Sequence, residues 1–145
     1  MYQGLLHLHN LLRWIILILL LLTIWQSFRK DRKLQKTGLW LMIASHITLL
    51  LGIYQWLNGE LGLSLIEKNG MGEVMKTSVY RFWAIEHITA MFIAIILITI
   101  ARGSVKDLRF RTASWLYVTA LVLILISIPW PFRVDGIARP WLPGM

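Results

Sequence analysis

The sequence predicts an all-α fold: a four-transmembrane-helix up-down bundle with both termini outside. Three observations carry that prediction. First, the 145 residues are 57% hydrophobic and only 15% charged, against roughly 25% charged in an average soluble chain. Second, the apolar excess falls in four blocks, residues 5–28, 38–57, 82–101 and 113–130. Each is about 20 residues long, which spans a hydrocarbon core of about 30 Å at about 1.5 Å of rise per residue. Third, lipid supplies no partners for backbone polar groups, so blocks of this kind must satisfy them internally as helices. One integral membrane domain, 1–145, accounts for the chain.

Block one, 5–28, has no charged side chain before its apolar run, and "FRKDRK" follows it. A cleaved signal peptide has the opposite polarity, so a retained helix with its N-terminus outside is expected. Loop 29–37 carries Arg29, Lys30, Arg32, Lys33 and Lys36 against Asp31. Block two, 38–57, leads into the longest loop, 58–81. Its Gly59, Gly62, Gly70 and Gly72 mark turns, and its Leu61, Leu63, Leu65 and Ile66 are expected on the membrane surface.

Block three, 82–101, is followed by a second basic loop, 102–112, with Arg102, Lys106, Arg109 and Arg111 against Asp107. Block four, 113–130, stops in "IPWPF", because Pro129 and Pro131 cannot continue the hydrogen-bond ladder. The two basic loops share one side, which the positive-inside rule makes cytoplasmic. Membrane lipids, rather than nucleic acid, therefore explain the net charge of +8. With no cysteine, thiolate metal sites, disulfides and covalent c-type haem are excluded.

Seven tryptophans near block ends, from Trp14 to Trp130, suit interfacial anchoring. Blocks three and four each show small residues on one face, Ala90, Ala94 and Ala101 below His87, and Ala113, Ala120 and Ser127 around Tyr117. Close helix packing is the commoner use of such faces, and room for a flat cofactor is the other.

Ionisable residues inside apolar blocks are functional candidates by default. Here they are His9, Arg13, His46, Glu86 and His87, with Arg81 at the rim. With the outer ends of helices one, two and three taken at residues 5, 57 and 80, His9 lies about 6 Å deep, Glu86 about 9 Å, His87 about 10 Å, Arg13 about 12 Å and His46 about 16 Å. All fall in the outer half of the membrane. His7 and His9 point about 160° apart on an ideal helix, while Arg13 shares the face of His9. A deep arginine faces the interior, so His9 is expected inward and His7 outward. Glu86 lies at a suitable depth to pair with Arg13.

Neutral imidazole is a good ligand for haem iron, zinc and copper. Two histidines on different helices can sandwich a haem. Helices one and three are diagonal in an up-down bundle, which favours His9 with His87, and His46 with His87 is the adjacent-helix alternative. Arg13 and Arg81 are placed to neutralise haem propionates. A purely structural network of His, Arg and Glu is the competing reading. No zinc-protease motif, phosphate loop or nucleophile elbow is present.

The segments "GLLHLHNLLRW", "SHITLLLG", "RFWAIEH" and "ISIPWPFR" resemble a family of small bacterial four-helix membrane proteins commonly labelled cytochrome b. The resemblance covers nearly the whole chain. It implies non-covalent haem b on His9, His46 or His87, and electron transfer in the bacterial inner membrane rather than a stand-alone enzyme. Quinol, another cytochrome or a respiratory assembly are the partners expected. A non-catalytic small subunit of a larger membrane complex, or a zinc or copper site on the same histidines and Glu86, are the alternatives.

Overall fold

The computed structural model describes residues 1–142. Its long helices are α1 (Tyr2–Phe28), α2 (Leu34–Asn58), α6 (His87–Lys106) and α7 (Phe110–Ser127). Between α2 and α6 lie three short helices, α3 (Leu63–Asn69), α4 (Met71–Lys76) and α5 (Ser78–Arg81), and a π-helical turn, Phe82–Glu86. α5, the π turn and α6 run on as one helical stretch, Ser78–Lys106. Four stretches are long and apolar enough to cross a membrane. The outer surface supports that reading, since Leu50 is 68% exposed and Ile18 64% exposed. A surface of this kind is stable against hydrocarbon, not water.

α1 packs beside α2 and α7, and α6 packs beside α2 and α7, so α1 and α6 are diagonal. The up-down order places the N-terminus and the end of α7 at one end, with both basic loops at the other. The core runs from Ile16, Leu17 and Leu20 through Leu41, Ala94, Ile98 and Ala101 to Tyr117, Ala120 and Ile124. Ala94, Ala101, Ala113 and Ala120 are fully buried there. The small faces read from the sequence are thus used for close contact between α6 and α7.

Near the basic loops, Tyr117 is fully buried, and a Cβ on Gly38 would stand 2.9 Å from its hydroxyl. Glycine at 38 lets α2 approach that phenol. Arg102 donates to Gln35 Oε1 at 3.2 Å, and Gln35 donates to the Val105 carbonyl at 2.8 Å, tying α2 to α6. Trp25, Trp40 and Trp115 are more than half exposed, as interfacial anchors should be.

The fourth helix ends at Ser127, three residues short of the expected 130. Pro129 and Pro131 have no N–H, so the carbonyls of Leu125 and Ser127 lose their i+4 donors. Side chains replace them. Trp130 Nε1 donates to Leu125 O at 2.8 Å, and His87 Nδ1 donates to Ser127 O at 2.8 Å. Arg133 donates to the Ile126 carbonyl. The helix end is therefore finished by residues from the tail and from α6.

Loop 58–81 also departs from expectation. Leu65 does not lie on the membrane surface. It is buried with Val74 and Ala84, and Ile66, Tyr80, Trp83 and Ile85 pack around them. Trp56 Nε1 donates to the Ala84 carbonyl at 2.9 Å, fixing the end of α2 to the π turn.

Candidate functional site

His87 follows directly on the π turn. A π turn inserts extra residue into the helix and shifts the phase of what precedes it, and such turns recur at functional sites. The shift is visible in the ion pair Arg81 Nε to Glu86 Oε1, 2.6 Å long. On a regular α-helix residues five apart point about 140° from each other. Here they share a face. The expected pairing of Glu86 with Arg13 is thus corrected: Glu86 is exposed and held by Arg81, which also donates to the Met75 carbonyl at 2.8 Å.

Arg13 has another partner. Its Nη2 donates to the Trp141 carbonyl at 2.8 Å, and Trp14 Nε1 donates to the same oxygen at 2.8 Å. The tail after α7 folds back over the terminal end of the bundle. Trp141 stacks on Trp14 at 6.2 Å between ring centroids, and Trp130 lies 5.6 Å from Trp141. Trp83 Nε1 holds the Gly136 carbonyl at 2.8 Å, with the Arg139 guanidinium 4.6 Å over the Trp83 ring. Trp14, Trp83 and Trp130 therefore clasp the tail rather than only marking an interface.

Because Arg13 and Glu86 share no partner, their truncations should be independent. The stability losses of Arg13→Leu and Glu86→Leu are expected to add in the double variant within about 0.3–0.5 kcal/mol. Unfolding titrations of the three variants check this. A double variant markedly more stable than the sum would restore a direct pair.

His9 is on the inner face of α1, with its Nδ1 buried and without a hydrogen-bond partner among the described residues. It rests against α2 where residue 52 is glycine: a Cβ there would sit 3.4 Å from His9 Cε1. His87 stands on the diagonal helix. The depths agree as well, since His9 lies about 10 Å along α1 from Tyr2, a level comparable with His87 counted from Ser78. Phe82 and Trp83 flank the His87 ring at 5.8 and 6.0 Å. Arg133 lies 5.0 Å over the Phe82 ring.

The third histidine does not join them. His46 is exposed on the outside of the bundle, in a groove between α2 and α6. The expected pairing of His46 with His87 is corrected on that ground. His7 is exposed near the start of α1. Sequence reasoning missed the tail residues Trp141 and Arg133, the role of Gly52, and the Ser127 carbonyl. The last had a readable signal, because Pro131 stands four residues after Ser127 and cannot donate to it.

The fold and the site define a four-helix bundle of the membrane-spanning type with two interior histidines on diagonal helices. Comparison with family models, curated proteins and solved structures finds no match.

Proposed function

We propose that this chain is an electron-transfer protein of the bacterial inner membrane, in which His9 and His87 hold one non-covalent haem b. The observation that carries the reading is the hydrogen bond from His87 Nδ1 to Ser127 O. A carbonyl can only accept, so Nδ1 carries the proton, and in the neutral ring Nε2 keeps its lone pair. Metal-ligating histidines are oriented in just this way, by donating the other ring N–H to a carbonyl or carboxylate.

The donor set fits the group. His9 offers a buried Nδ1 that no atom of the described residues satisfies, from the helix diagonal to His87. Two imidazoles, His9 and His87, would hold a haem iron, whereas zinc takes three or four protein ligands. A haem held there supplies a one-electron couple. The chain's own contribution is orientation and shielding. Ser127 O fixes the His87 ring, Gly52 gives the His9 ring room, and the Trp14–Trp130–Trp141 cluster covers the terminal end. Arg13 and Arg133 supply positive charge near the site, suited to propionates. The two basic loops at the far end support a cytoplasmic placement for that end.

The haem content of protein purified from haem-supplied cells tests the reading. One haem b per chain is expected. A folded, haem-free chain would remove it.

A further inference from the structure

We propose that residues 134–142 form a strap that gates the His9–His87 end of the bundle, and that Arg13 is its latch, released by a carboxylate. The carboxylate rests on the haem reading, whose cofactor carries two; the gate concerns the two histidines whether or not haem binds. The strap reaches both rings through their neighbours. Phe82 and Trp83 flank the His87 ring at 5.8 and 6.0 Å. Arg133, at the start of the strap, lies over the Phe82 ring and donates to the Ile126 carbonyl, which makes it the pivot. Trp83 Nε1 holds Gly136 O, and Arg139 covers the Trp83 ring. On the other side Arg13, one turn after His9 on α1, and Trp14 both donate to Trp141 O. A segment fastened to α1 and to the π turn before His87 spans the mouth between the two histidines.

The strap is held differently from a packed element. Its fastenings are hydrogen bonds to its backbone carbonyls and contacts with ring faces. Ile137 is its one buried side chain among the described residues, whereas Val134, Trp141 and Leu142 are exposed. A segment with few buried apolar contacts opens locally at a fraction of the global stability. The chain has already left α7 at Ser127, so lifting the strap unwinds no helix and leaves the four spans packed.

The latch is built to be exchanged. Arg13 meets a neutral carbonyl, and its Nε is buried with no hydrogen-bond partner among the described residues. A carboxylate accepts two guanidinium N–H groups at once and matches the charge, so it outcompetes a carbonyl for the same arginine. When Arg13 turns to a carboxylate, Trp14 Nε1 alone keeps Trp141 O. The strap is then held at that end by one neutral hydrogen bond.

The test locks the strap. A Cβ on Gly136 would stand 3.9 Å from Val79 Cβ, within the span of about 3.5–4.5 Å that a disulfide needs. The chain has no cysteine, so Val79→Cys with Gly136→Cys makes one bridge, from α5 to the strap. The haem-free double variant in lipid nanodiscs is treated with diethyl pyrocarbonate, which acylates neutral imidazole, and each histidine is read by mass spectrometry. His9 is expected to react at least tenfold more slowly with the bridge closed than in the same protein reduced. His7, exposed on the same helix, should react alike in both states. Equal His9 rates in the two states would overturn the gate. The latch is read on the native chain by deuterium uptake of the strap amides, with haemin and with haemin dimethyl ester, which lacks free carboxylates. Haemin is expected to speed that uptake and the ester to leave it unchanged; equal effects of the two would overturn the carboxylate latch. Failure of both to bind, with His9 still answering to the bridge, would remove the haem reading and the carboxylate latch with it, and leave the gate standing.

Discussion

Replacing His87 with alanine is expected to abolish the low-spin haem spectrum while the four helices still insert. The expectation rests on two roles in one ring. Nε2 is the free nitrogen, and Nδ1–H satisfies a Ser127 carbonyl that Pro131 leaves without a donor. Alanine removes both, and an unsatisfied buried carbonyl costs about 1–3 kcal/mol. His87→Asn separates the two effects, because its amide can donate to a carbonyl but offers no imidazole. Stability should recover in part with Asn, and haem should not. Reduced-minus-oxidised spectra at matched protein levels, beside unfolding titrations, read the two outcomes. Native haem content in both variants would end the case for His87 as a ligand.

The second large effect lies in the backbone between α2 and α3. Gly62 has φ +113° and ψ −127°, a conformation that side chains other than hydrogen rarely adopt, at a cost of about 1–3 kcal/mol. A Cβ there would also stand 2.6 Å from the Trp56 carbonyl and 2.7 Å from its indole Cδ1. The carbonyl belongs to the last turns of α2 and has nowhere cheap to move. Any shift of Trp56 disturbs its bond to Ala84, inside the π turn that precedes His87. Gly62→Val is therefore expected to destabilise the protein by about 3 kcal/mol or more, adding a clash to the strain. Gly70→Val is the control. Gly70 also has positive φ, +78°, but nothing lies within 4 Å of its Cβ position. It should lose only the strain, about 1–2 kcal/mol. Equal losses at the two positions would contradict the close approach at Gly62.

The four spans were legible because lipid leaves a long apolar block no structure other than a helix. Helix faces were legible only where a charge marked them. Arg13 oriented α1 and, with it, His9. α2 carries no such mark: lipid is as apolar as the bundle interior, so a span that is hydrophobic all round hides which side faces inward. His46 therefore reads as interior in the sequence and lies on the outside. The π turn hid a second relation, because residues 81 and 86 are neighbours only when the regular phase is broken. Trp141 was out of reach for a different reason. Its contact with Arg13 joins residues 128 apart in the chain through a backbone carbonyl, which no side-chain pattern announces.

The most direct test of the His9–His87 pair is the electron paramagnetic resonance spectrum of the oxidised protein, native and His9→Ala. The native protein is expected to show a low-spin ferric haem with two imidazole ligands. His9→Ala should turn it high-spin through loss of one axial ligand, and His46→Ala should leave it unchanged. A low-spin signal that survives in His9→Ala but disappears in His46→Ala would contradict the account.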